Sequence, residues 1–550
     1  MKRYIYVCIV VCSVFPFLSM MSQKAFFSRP MNIPLYLSGN FGELRSTHFH
    51  GGLDFKTGGS IGKPVYALSE GYIWRARVIN GSGYVLDIRY NNGYSTTYRH
   101  LSRFIQPIAQ RIEDIQYKEE NWEVEFEPKP NEYPVKAGQL VAWSGNTGYS
   151  FGPHLHVDFF DTKSGDYLDP LPFLKRYIID KRAPQVQGIA FFPQQGQGVV
   201  DGSEKVRFVR PRAASVYAWG LIGVGLKAYD YMNGVYNKYG VKSVALSVDG
   251  KVVFYSLVDR FSYDENRMVK SWIYDGYMKS FVDPGNSLRM IHAMNGNRGL
   301  IDIKEERDYH FVYTLKDALG NTSFVRFTVH GRRQNIPAVK YSTKYLFVWD
   351  RGNYLRENGM SLVVPKGSLF DNVYLDVLIK QNPDGLSPVF QLCSRPVPLL
   401  HSVILRMDFR QISGVDFSKY YIAEVSARGA KRSVGGVYQN GIIKADIIKL
   451  STYTVAVDTI APVIIPLQKN RWGRLSTVSF RLFDSGTGIR SYRGTIDGKF
   501  ALFGRPNITT VNWQCKLDSK RVIRGRNHIV RMTVIDNCGN ESTSIQTFYW

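Results

Sequence analysis

The sequence predicts a mainly β protein of several domains, in which β-sandwiches make up most of the chain. Apolar and polar residues alternate in short runs, as at residues 84–90 and 242–248, and turns rich in Gly, Asn and Asp separate these runs. Patterns of long amphipathic helices are scarce. With 550 residues, of which 44% are hydrophobic, the chain is too long for one hydrophobic core and apolar enough to build three or four.

Residues 1–22 have the order of charge and hydropathy of a secretory signal peptide. Lys2 and Arg3 precede an apolar run over residues 4–18, which is short for a membrane span, and we expect cleavage near Ser22. No cysteine follows the run at a position suited to lipid attachment. The sequence therefore predicts an exported protein of the periplasm or cell envelope, which contacts a membrane only if this segment stays uncleaved.

The charge of the chain indicates which classes of partner to expect, and its cysteine content indicates whether disulfides hold it together. The formal net charge of +24 favours an anionic polymer such as a cell wall or lipopolysaccharide, although solubility alone explains it equally well. Because the Lys and Arg residues are spread along the chain without a dense block, no nucleic-acid partner is expected. The three cysteines beyond residue 22 build no disulfide framework, and Cys515 and Cys538 either pair or remain buried thiols.

Linkers that contain proline, at residues 180–184 and 458–462, divide the chain. The expected units are a first domain over 23–178, a β-sandwich over 179–334, a β-rich domain over 335–457 and an immunoglobulin-like β-sandwich over 458–550.

A divergent repeat follows each linker. It consists of a glycine, an Asp-Gly pair typical of hairpin turns and an Asp-x-x-Gly-Asn segment, at 240, 249–250 and 317–321 in one copy and at 488, 497–498 and 536–540 in the other. Short strands at this density favour sandwiches, and the repeat resembles immunoglobulin-like modules of bacterial surface proteins. The Asp-x-x-Gly-Asn segments lack the alternating Asp/Asn spacing of a calcium loop, so we expect turns capped by asparagine.

Histidines concentrate in the first domain. Five of the ten lie between residues 48 and 156, and a strand through His154 and His156 sends both, with Asp158, to one face. His50 and Asp54 are separated by two glycines that disfavour a helix, so the pair is expected to converge through a turn that enters a strand. A catalytic zinc takes three N or O ligands and keeps a fourth position for water, whose pKa it lowers. Taken alone, His154 and His156 are more typical of exposed strand residues than of a metal site.

Three ordered blocks make the chain recognisable. His50-Gly51-Gly52-Leu53-Asp54, Tyr98-Arg99-His100-Leu101, and Ser144-Gly145-Asn146-Thr147-Gly148 leading to Gly152-Pro153-His154-Leu155-His156 resemble the LytM/lysostaphin-type zinc metallopeptidases, which cut peptide bonds in bacterial peptidoglycan. The resemblance implies one zinc ion held by His50, Asp54 and His156, with His100 and His154 as catalytic histidines that are not ligands. It also implies a compact antiparallel β domain near residues 35–170, with the zinc in a groove.

Several features depart from that pattern or lie outside it. Residues 107–133 form an insertion with an acidic run, for which a lid, a groove wall and a plain surface excursion all remain open. Asp158 stands where many relatives carry glutamate, and it either bonds to a histidine or is a solvated strand carboxylate. His48 is a candidate groove residue. Structural roles are expected for the histidines of the later domains, His292, His310, His330, His401 and His528.

The combined pattern predicts an exported zinc endopeptidase that acts on the peptide stems of peptidoglycan. Its C-terminal β domains are expected to position it on the wall or on other envelope proteins. Two other hypotheses remain. A non-catalytic regulator or scaffold of cell-wall hydrolases is expected to lack metal ligands, and none is missing here, while a surface adhesion protein is expected to depend on its β domains instead of His50.

Overall fold

The computed structural model describes residues 27–211, 215–339, 345–505 and 507–550. The predicted signal peptide, residues 1–22, lies outside the described residues. The prediction of a mainly β chain is confirmed, because an N-terminal β domain is followed by a series of further sheets. Across the described ranges, no helix has the length and apolar character needed to cross a membrane.

The first region is an antiparallel sheet in the order β1-β2-β11-β6-β5-β4-β8, with β9 beside β4 and β12 beside β11. A second, small sheet has the order β3-β10-β7. The elements are β1 (Leu37–Gly39), β2 (Gly52–Lys56), β3 (Pro64–Tyr66), β4 (Gly71–Ile79), β5 (Gly83–Tyr90), β6 (Tyr94–Leu101), β7 (Arg103–Phe104), α1 (Ile108–Glu119), β8 (Val124–Phe126), β9 (Pro134–Val135), β10 (Leu140–Trp143), β11 (His154–Asp161), β12 (Tyr167–Leu168) and α2 (Leu171–Leu174).

The second region forms one sheet whose main path is β14-β13-β15-β24-β23-β16-β17-β21. Its elements are β13 (Gln185–Val200), β14 (Arg207–Val209), β15 (Ser215–Tyr229), β16 (Ser243–Val248), β17 (Lys251–Leu257), β18 (Arg260–Phe261), α3 (Tyr263–Asn266), α4 (Val269–Trp272), β19 (Ile273–Tyr274), β20 (Tyr277–Lys279), β21 (Ile291–Ala293), β22 (Ile301–Ile303), β23 (Asp308–Lys316) and β24 (Thr322–Gly331). One of these strands, β18, pairs with β12 of the first region.

The third region contains two five-stranded sheets, β26-β27-β31-β35-β34 and β29-β30-β36-β32-β33, and the pair β25-β28. Its strands are β25 (Leu346–Phe347), β26 (Asn353–Glu357), β27 (Met360–Val364), β28 (Val373–Tyr374), β29 (Leu378–Lys380), β30 (Val389–Gln391), β31 (Val397–Met407), β32 (Tyr420–Val425), β33 (Lys431–Ser433), β34 (Val437–Gln439), β35 (Ile442–Leu450) and β36 (Thr452–Val457).

The C-terminal region has a three-stranded sheet, β37-β38-β41, and a four-stranded sheet, β40-β39-β42-β43. Its elements are β37 (Val463–Pro466), α5 (Trp472–Leu475), β38 (Thr477–Phe483), β39 (Ile489–Ile496), β40 (Lys499–Phe500), β41 (Asn512–Lys516), β42 (Asn527–Asp536) and β43 (Glu541–Tyr549).

The divergent repeat appears in the topology. The neighbours β17-β16-β23-β24 in the second region have the same order along the chain and in the sheet as β40-β39-β42-β43 in the C-terminal region. Each Asp-Gly pair forms the expected hairpin turn, with φ of 49° and 79° at Asp249 and Gly250 and the same two angles at Asp497 and Gly498. Cys393, Cys515 and Cys538 are buried and unbridged, so a pairing of Cys515 with Cys538 is not present.

The insertion over residues 107–133 is ordered secondary structure. α1 buries Ile108 and Ile112 in the core of the first region, and β8 extends the main sheet by pairing with β4. A plain surface excursion is therefore wrong for most of its length.

Candidate metal centre

The candidate site residues lie on three adjacent strands of the first sheet. β11 pairs with β2 on one side and with β6 on the other, and the register places His156 opposite Asp54 and Arg99. His50 lies two residues before β2, and the residue between it and the strand forms no turn, so the expected turn into the strand is not present. The antiparallel pairing thus brings together residues that are about a hundred positions apart in the sequence.

Three ligand atoms converge at this point. His156 Nδ1 lies 2.8 Å from Asp54 Oδ1, and His50 Nε2 lies 3.1 Å from His156 Nδ1 and 3.2 Å from Asp54 Oδ1. Ligands held tetrahedrally by zinc at 2.0–2.1 Å lie about 3.3 Å apart, so these atoms need to separate by only a few tenths of an ångström to accept the ion. These three residues form a buried group with the geometry of a metal site.

The outer nitrogens of the two rings fix their tautomers. His50 Nδ1 lies 2.7 Å from the carbonyl oxygen of Asn40, and His156 Nε2 lies 2.5 Å from Asp158 Oδ1. Since both partners only accept hydrogen bonds, both of these nitrogens donate, and His50 Nε2 and the neutral form of His156 Nδ1 direct lone pairs at Asp54. These three atoms can share one positive charge, either a metal ion or a proton on His156, and such outer partners are typical of histidine ligands.

The electrostatics of the site also favour a cation. Burial alone would raise the pKa of Asp54, but His50 and His156 hold it well below its usual range. Burial would lower the pKa of His156, but Asp158 and Asp54 outweigh this effect and raise it to about 9. Burial likewise opposes ionisation of Asp158, but Arg99 and His156 keep its pKa far below the usual value. Both carboxylates are therefore ionised, and without a metal a proton on His156 supplies the missing positive charge.

His154 and His100 lie beside this centre. Their ring centroids are 4.8 Å apart, and His154 Nε2 lies 3.5 Å from Asp54 Oδ1. Each donates from Nδ1 to a backbone carbonyl, His154 to Gly152 at 2.8 Å and His100 to Thr147 at 2.8 Å. The remaining nitrogen of each ring is therefore an acceptor.

Both rings stay neutral near pH 7. Burial, followed by the neighbours His156 and His154, lowers the pKa of His100 to about 3, and burial is also the main cause that lowers the pKa of His154. His100 has a φ of 61°, which costs a residue with a side chain roughly 1–3 kcal/mol. This backbone conformation orients the ring at the end of β6.

Asp158 is buried and bonds to His156, so it is not a solvated carboxylate. Its second oxygen accepts from Arg99 Nε at 2.7 Å. Sequence reasoning quoted Arg99 within a block without assigning it a role, and it missed Asn40, whose backbone carbonyl leaves no signal in a sequence. His48 is exposed and bonds to Thr47, 3.0 Å away, outside the convergent group.

The C-terminal region contacts the loop that carries Thr147. Asn507 Nδ2 donates to the carbonyls of Asn146 and Ser150 at 2.7 and 2.9 Å, and the amide of Ile508 donates to the carbonyl of Gly148 at 3.0 Å. A cleft of about 550 Å³ lies between the two regions. One edge of the candidate site is thus held by a distant part of the chain.

The rest of this contact comes from α1 and from Trp122, which lies between α1 and β8. The guanidinium of Arg521 lies 3.4 Å from the ring centroid of Tyr117, and Trp122 packs against Gly504 so closely that a Cβ there would come within 2.3 Å of the indole. The insertion is therefore a platform for the C-terminal region as well as one wall of the cleft.

This combination of a candidate metal site on a β sheet and two adjacent neutral histidines is typical of a metal-dependent hydrolase. Residues 48–116 match Peptidase family M23, and residues 344–458 match the Zu5-like domain. The first region therefore carries a Peptidase family M23 domain, and the predicted LytM/lysostaphin-type resemblance is confirmed.

Curated relatives match about a quarter of the chain. The glycyl-glycine endopeptidase ALE-1 of Staphylococcus capitis is 35% identical over 130 residues, which are 23% of this chain and 29% of that protein. Lysostaphin of Staphylococcus simulans is 36% identical over 132 residues, 23% of this chain and 21% of lysostaphin. The peptidoglycan DD-endopeptidase ShyA of Vibrio cholerae is 30% identical over 142 residues, 25% of this chain and 27% of ShyA. The chain thus spans less than a third of the length of each.

A solved structure of the catalytic domain of lysostaphin from Staphylococcus simulans is 32% identical, with a TM-score of 0.20, and the match covers 26% of this chain and 92% of that one.

Proposed function

We propose that this chain is an exported, zinc-dependent endopeptidase that hydrolyses the peptide cross-links of bacterial peptidoglycan. The convergence of His50 Nε2, Asp54 Oδ1 and His156 Nδ1 carries the proposal, because two imidazole nitrogens and a carboxylate oxygen within 3.2 Å of one another can bind one metal ion. The names of the relatives, two of which are called glycyl-glycine or peptidoglycan endopeptidases, support the class of substrate.

We assign His50, Asp54 and His156 as the ligands of one zinc ion. Two imidazole nitrogens and one carboxylate oxygen leave a fourth position open, which is typical of catalytic zinc. When bound, zinc lowers the pKa of a water molecule to near neutrality and polarises the carbonyl of a peptide. The nitrogen-rich ligand set favours zinc over calcium or magnesium, which prefer oxygen ligands alone.

His154 and His100 are assigned as the catalytic histidines that are not ligands. Their neutral rings have one nitrogen held by a backbone carbonyl and the other free to accept. Such a group takes a proton from the attacking water and, once protonated, donates a hydrogen bond to the oxyanion of the substrate. Proximity to Asp54 makes His154 the better placed of the two for the water.

The rest of the chain is assigned to positioning. We propose the division into residues 23–178, 179–334, 335–457 and 458–550, which is supported by separate hydrophobic clusters in the third and fourth units. The last unit, for which an immunoglobulin-like fold stays a prediction, holds one edge of the site. Export follows from the signal segment and the wall substrate, and the β units are assigned to the wall or to other envelope proteins. A non-catalytic regulator is disfavoured because the ligand set is complete.

The test compares the full chain with His156→Ala and His154→Ala. Metal content is measured after dialysis and reloading with zinc, and activity is measured as new amino groups released from defined muropeptides, with products identified by mass. His156→Ala is expected to lose zinc and activity together. His154→Ala is expected to keep zinc and to lose about 10²–10⁴-fold in activity, the usual share of a general base.

His292→Ala is the control, since His292 is exposed on β21, far along the chain from the site. A parent chain that binds no zinc, or that releases no amino groups when zinc is bound, contradicts the function. Loss of zinc in His154→Ala contradicts the division of roles.

A further inference from the structure

Three aspartates from separate segments meet where the first region joins the second. Asp180 lies in the linker, Asp230 directly follows β15, and Asp317 directly follows β23. One carboxylate oxygen of each lies within 4.8 Å of an oxygen of each of the other two. Within the described ranges, no Lys or Arg side chain forms an ion pair with any of the three. The cluster therefore concentrates negative charge in a protein whose net charge is +24.

Turn formation accounts for Asp317. Its Oδ1 accepts from the amides of Leu319, Gly320 and Asn321, and its Oδ2 accepts from Asn321 Nδ2 at 2.6 Å. This is the asparagine-capped turn that the sequence predicted. Asn321 also donates to the carbonyl of Asp180, which ties the linker to the turn.

Asp230 is not accounted for in this way. It is 5% exposed, and its Oδ1 is buried without a hydrogen-bond partner. Burial, reinforced by Asp317 and Asp180, raises its pKa to about 8. The nearby guanidinium of Arg182 lies over the ring of Tyr231, 5.1 Å from its centroid, and opposes this increase only weakly. A buried carboxylate oxygen without a donor or cation is costly, so the structure lacks a partner at this point.

The C-terminal copy of the repeat provides an internal comparison. Asp458, Asp484 and Asp536 are grouped in the same way. There, however, Asp484 Oδ2 accepts from the amides of Gly486 and Gly488 at 3.1 and 2.6 Å. Two backbone amides thus donate to one oxygen of the third carboxylate of that cluster, whereas Asp230 has one backbone hydrogen bond, from Tyr231, and an Oδ1 without a partner.

We propose that Asp180, Asp230 and Asp317 bind one divalent cation of the calcium type, at a site separate from the peptidase centre. Oxygens bound to one calcium ion at 2.3–2.6 Å lie at most about 5 Å apart, which the 4.8 Å limit of the cluster satisfies. All three ligands are carboxylates, with no nitrogen or sulfur donor in the group, so a hard cation is favoured over zinc. Water completes the six to eight ligands that calcium takes.

Such an ion adds to the hydrogen bonds that Lys181, Asn321 and Ser323 already form at this joint. It links the linker to the ends of β15 and β23. We therefore expect calcium to stabilise the joint and to leave the zinc site unchanged.

The experiment titrates the chelator-treated full chain with calcium chloride by calorimetry and counts the sites. Asp230→Asn is expected to remove one site, or to weaken it at least tenfold, since it takes away a charged ligand without changing the side chain's shape. Asp180→Asn, in the partly exposed linker, is expected to have the same effect, and it decides the matter if Asp230→Asn does not fold. Asp484→Asn is the matched control and is expected to leave that site intact.

The proposal is overturned if the parent chain binds no calcium below about 1 mM, the weak limit of protein calcium sites. It is also overturned if Asp230→Asn and Asp180→Asn keep the number and affinity of sites of the parent. Zinc content and muropeptide hydrolysis, measured on the same samples, separate this outcome from any failure of the peptidase assignment.

Discussion

Replacing Asp158 by asparagine tests how the site holds its metal. The carboxylate accepts from His156 Nε2 and thereby directs Nδ1 at the metal position. Asparagine retains the shape but removes the charge that makes His156 a strong ligand. Losing such an outer partner weakens metal binding by about 10–100-fold, or about 1.4–2.8 kcal/mol. We expect Asp158→Asn to lose zinc affinity by this factor while His50 and Asp54 stay in place.

The change also breaks an ion pair, and a matched control separates the two effects. Asp87 is equally buried, at 1% exposure, and pairs with Arg75 and Arg77 at 2.9 and 2.8 Å in the same sheet, without contacting a histidine. Breaking a fully buried pair costs about 3–5 kcal/mol, and the lower end applies here because the arginines keep some exposure. Asp87→Asn and Asp158→Asn are therefore expected to lose similar stability.

The assay uses chelator competition for zinc affinity and urea unfolding of the zinc-free proteins for stability. Asp158→Asn is expected to change both quantities, and Asp87→Asn only the stability. If Asp87→Asn weakens zinc as much as Asp158→Asn does, the effect is a general loosening of the sheet. If Asp158→Asn binds zinc like the parent, the bond to His156 does not tune the ligand, and the reasoning fails.

Two further predictions concern contacts between regions. Asn507→Ala removes two hydrogen bonds to the loop beside the site, which together contribute about 1–2 kcal/mol. The rate of hydrogen exchange in residues 144–152 is therefore expected to rise on the order of tenfold. The exposed Asn470→Ala is the control, and an unchanged exchange rate in Asn507→Ala counts against the contact. In chelator, Asp230→Asn is expected to be more stable than the parent by a margin that grows from about pH 4 to about pH 8, because the folded state holds a proton on Asp230 that the unfolded state, with a pKa near 3.9, has lost. The charged and titratable groups that act on this carboxyl are Asp180, Asp317, Arg182 and Tyr239, and a pH-independent difference in urea unfolding contradicts the assignment.

Part of the candidate metal site was predictable from strand periodicity. A period of two places His154, His156 and Asp158 on one face, and one antiparallel neighbour is enough to bring Asp54 opposite His156. The roles of these residues came from the resemblance to a family. The hydrogen bonds that fix the tautomers came from neither source, because they end on backbone carbonyls at Asn40, Thr147 and Gly152, and any residue type supplies a carbonyl.

The platform formed by α1 had a signal that the sequence reasoning did not use. Ile108, Ile112 and Ile115 recur at the spacing of an amphipathic helix, and this pattern predicts a helix with one buried face. The contact that the outer face of α1 makes with the C-terminal region could not be predicted, since that region lies almost 400 residues further along the chain. The aspartate cluster could not be predicted for the same reason. The local spacing in 317–321 indicated a capped turn, and Asp180 and Asp230 come from other segments.

The segment that carries His50 is anchored in the second region by Phe49. This residue, between His48 and His50, is fully buried in the second region's core and packs against Phe261 and Trp272 at centroid distances of 5.6 and 6.1 Å. Its amide also donates to the carbonyl of Asn266 at 3.1 Å.

Phe49 is buried in the second region's core and His50 lies at the candidate metal site. The segment that carries His50 therefore contacts both regions. Burying a phenylalanine side chain contributes about 2–3 kcal/mol, so a chain cut at residue 178 exposes that ring and frees the ligand's backbone. The family resemblance is confined to the first region, but the position of His50 also depends on contacts with the second region. Zinc affinity and hydrolysis should therefore be measured on the full chain. There the second region contacts the segment that carries His50, and Asn507 of the C-terminal region contacts the loop over residues 146–150.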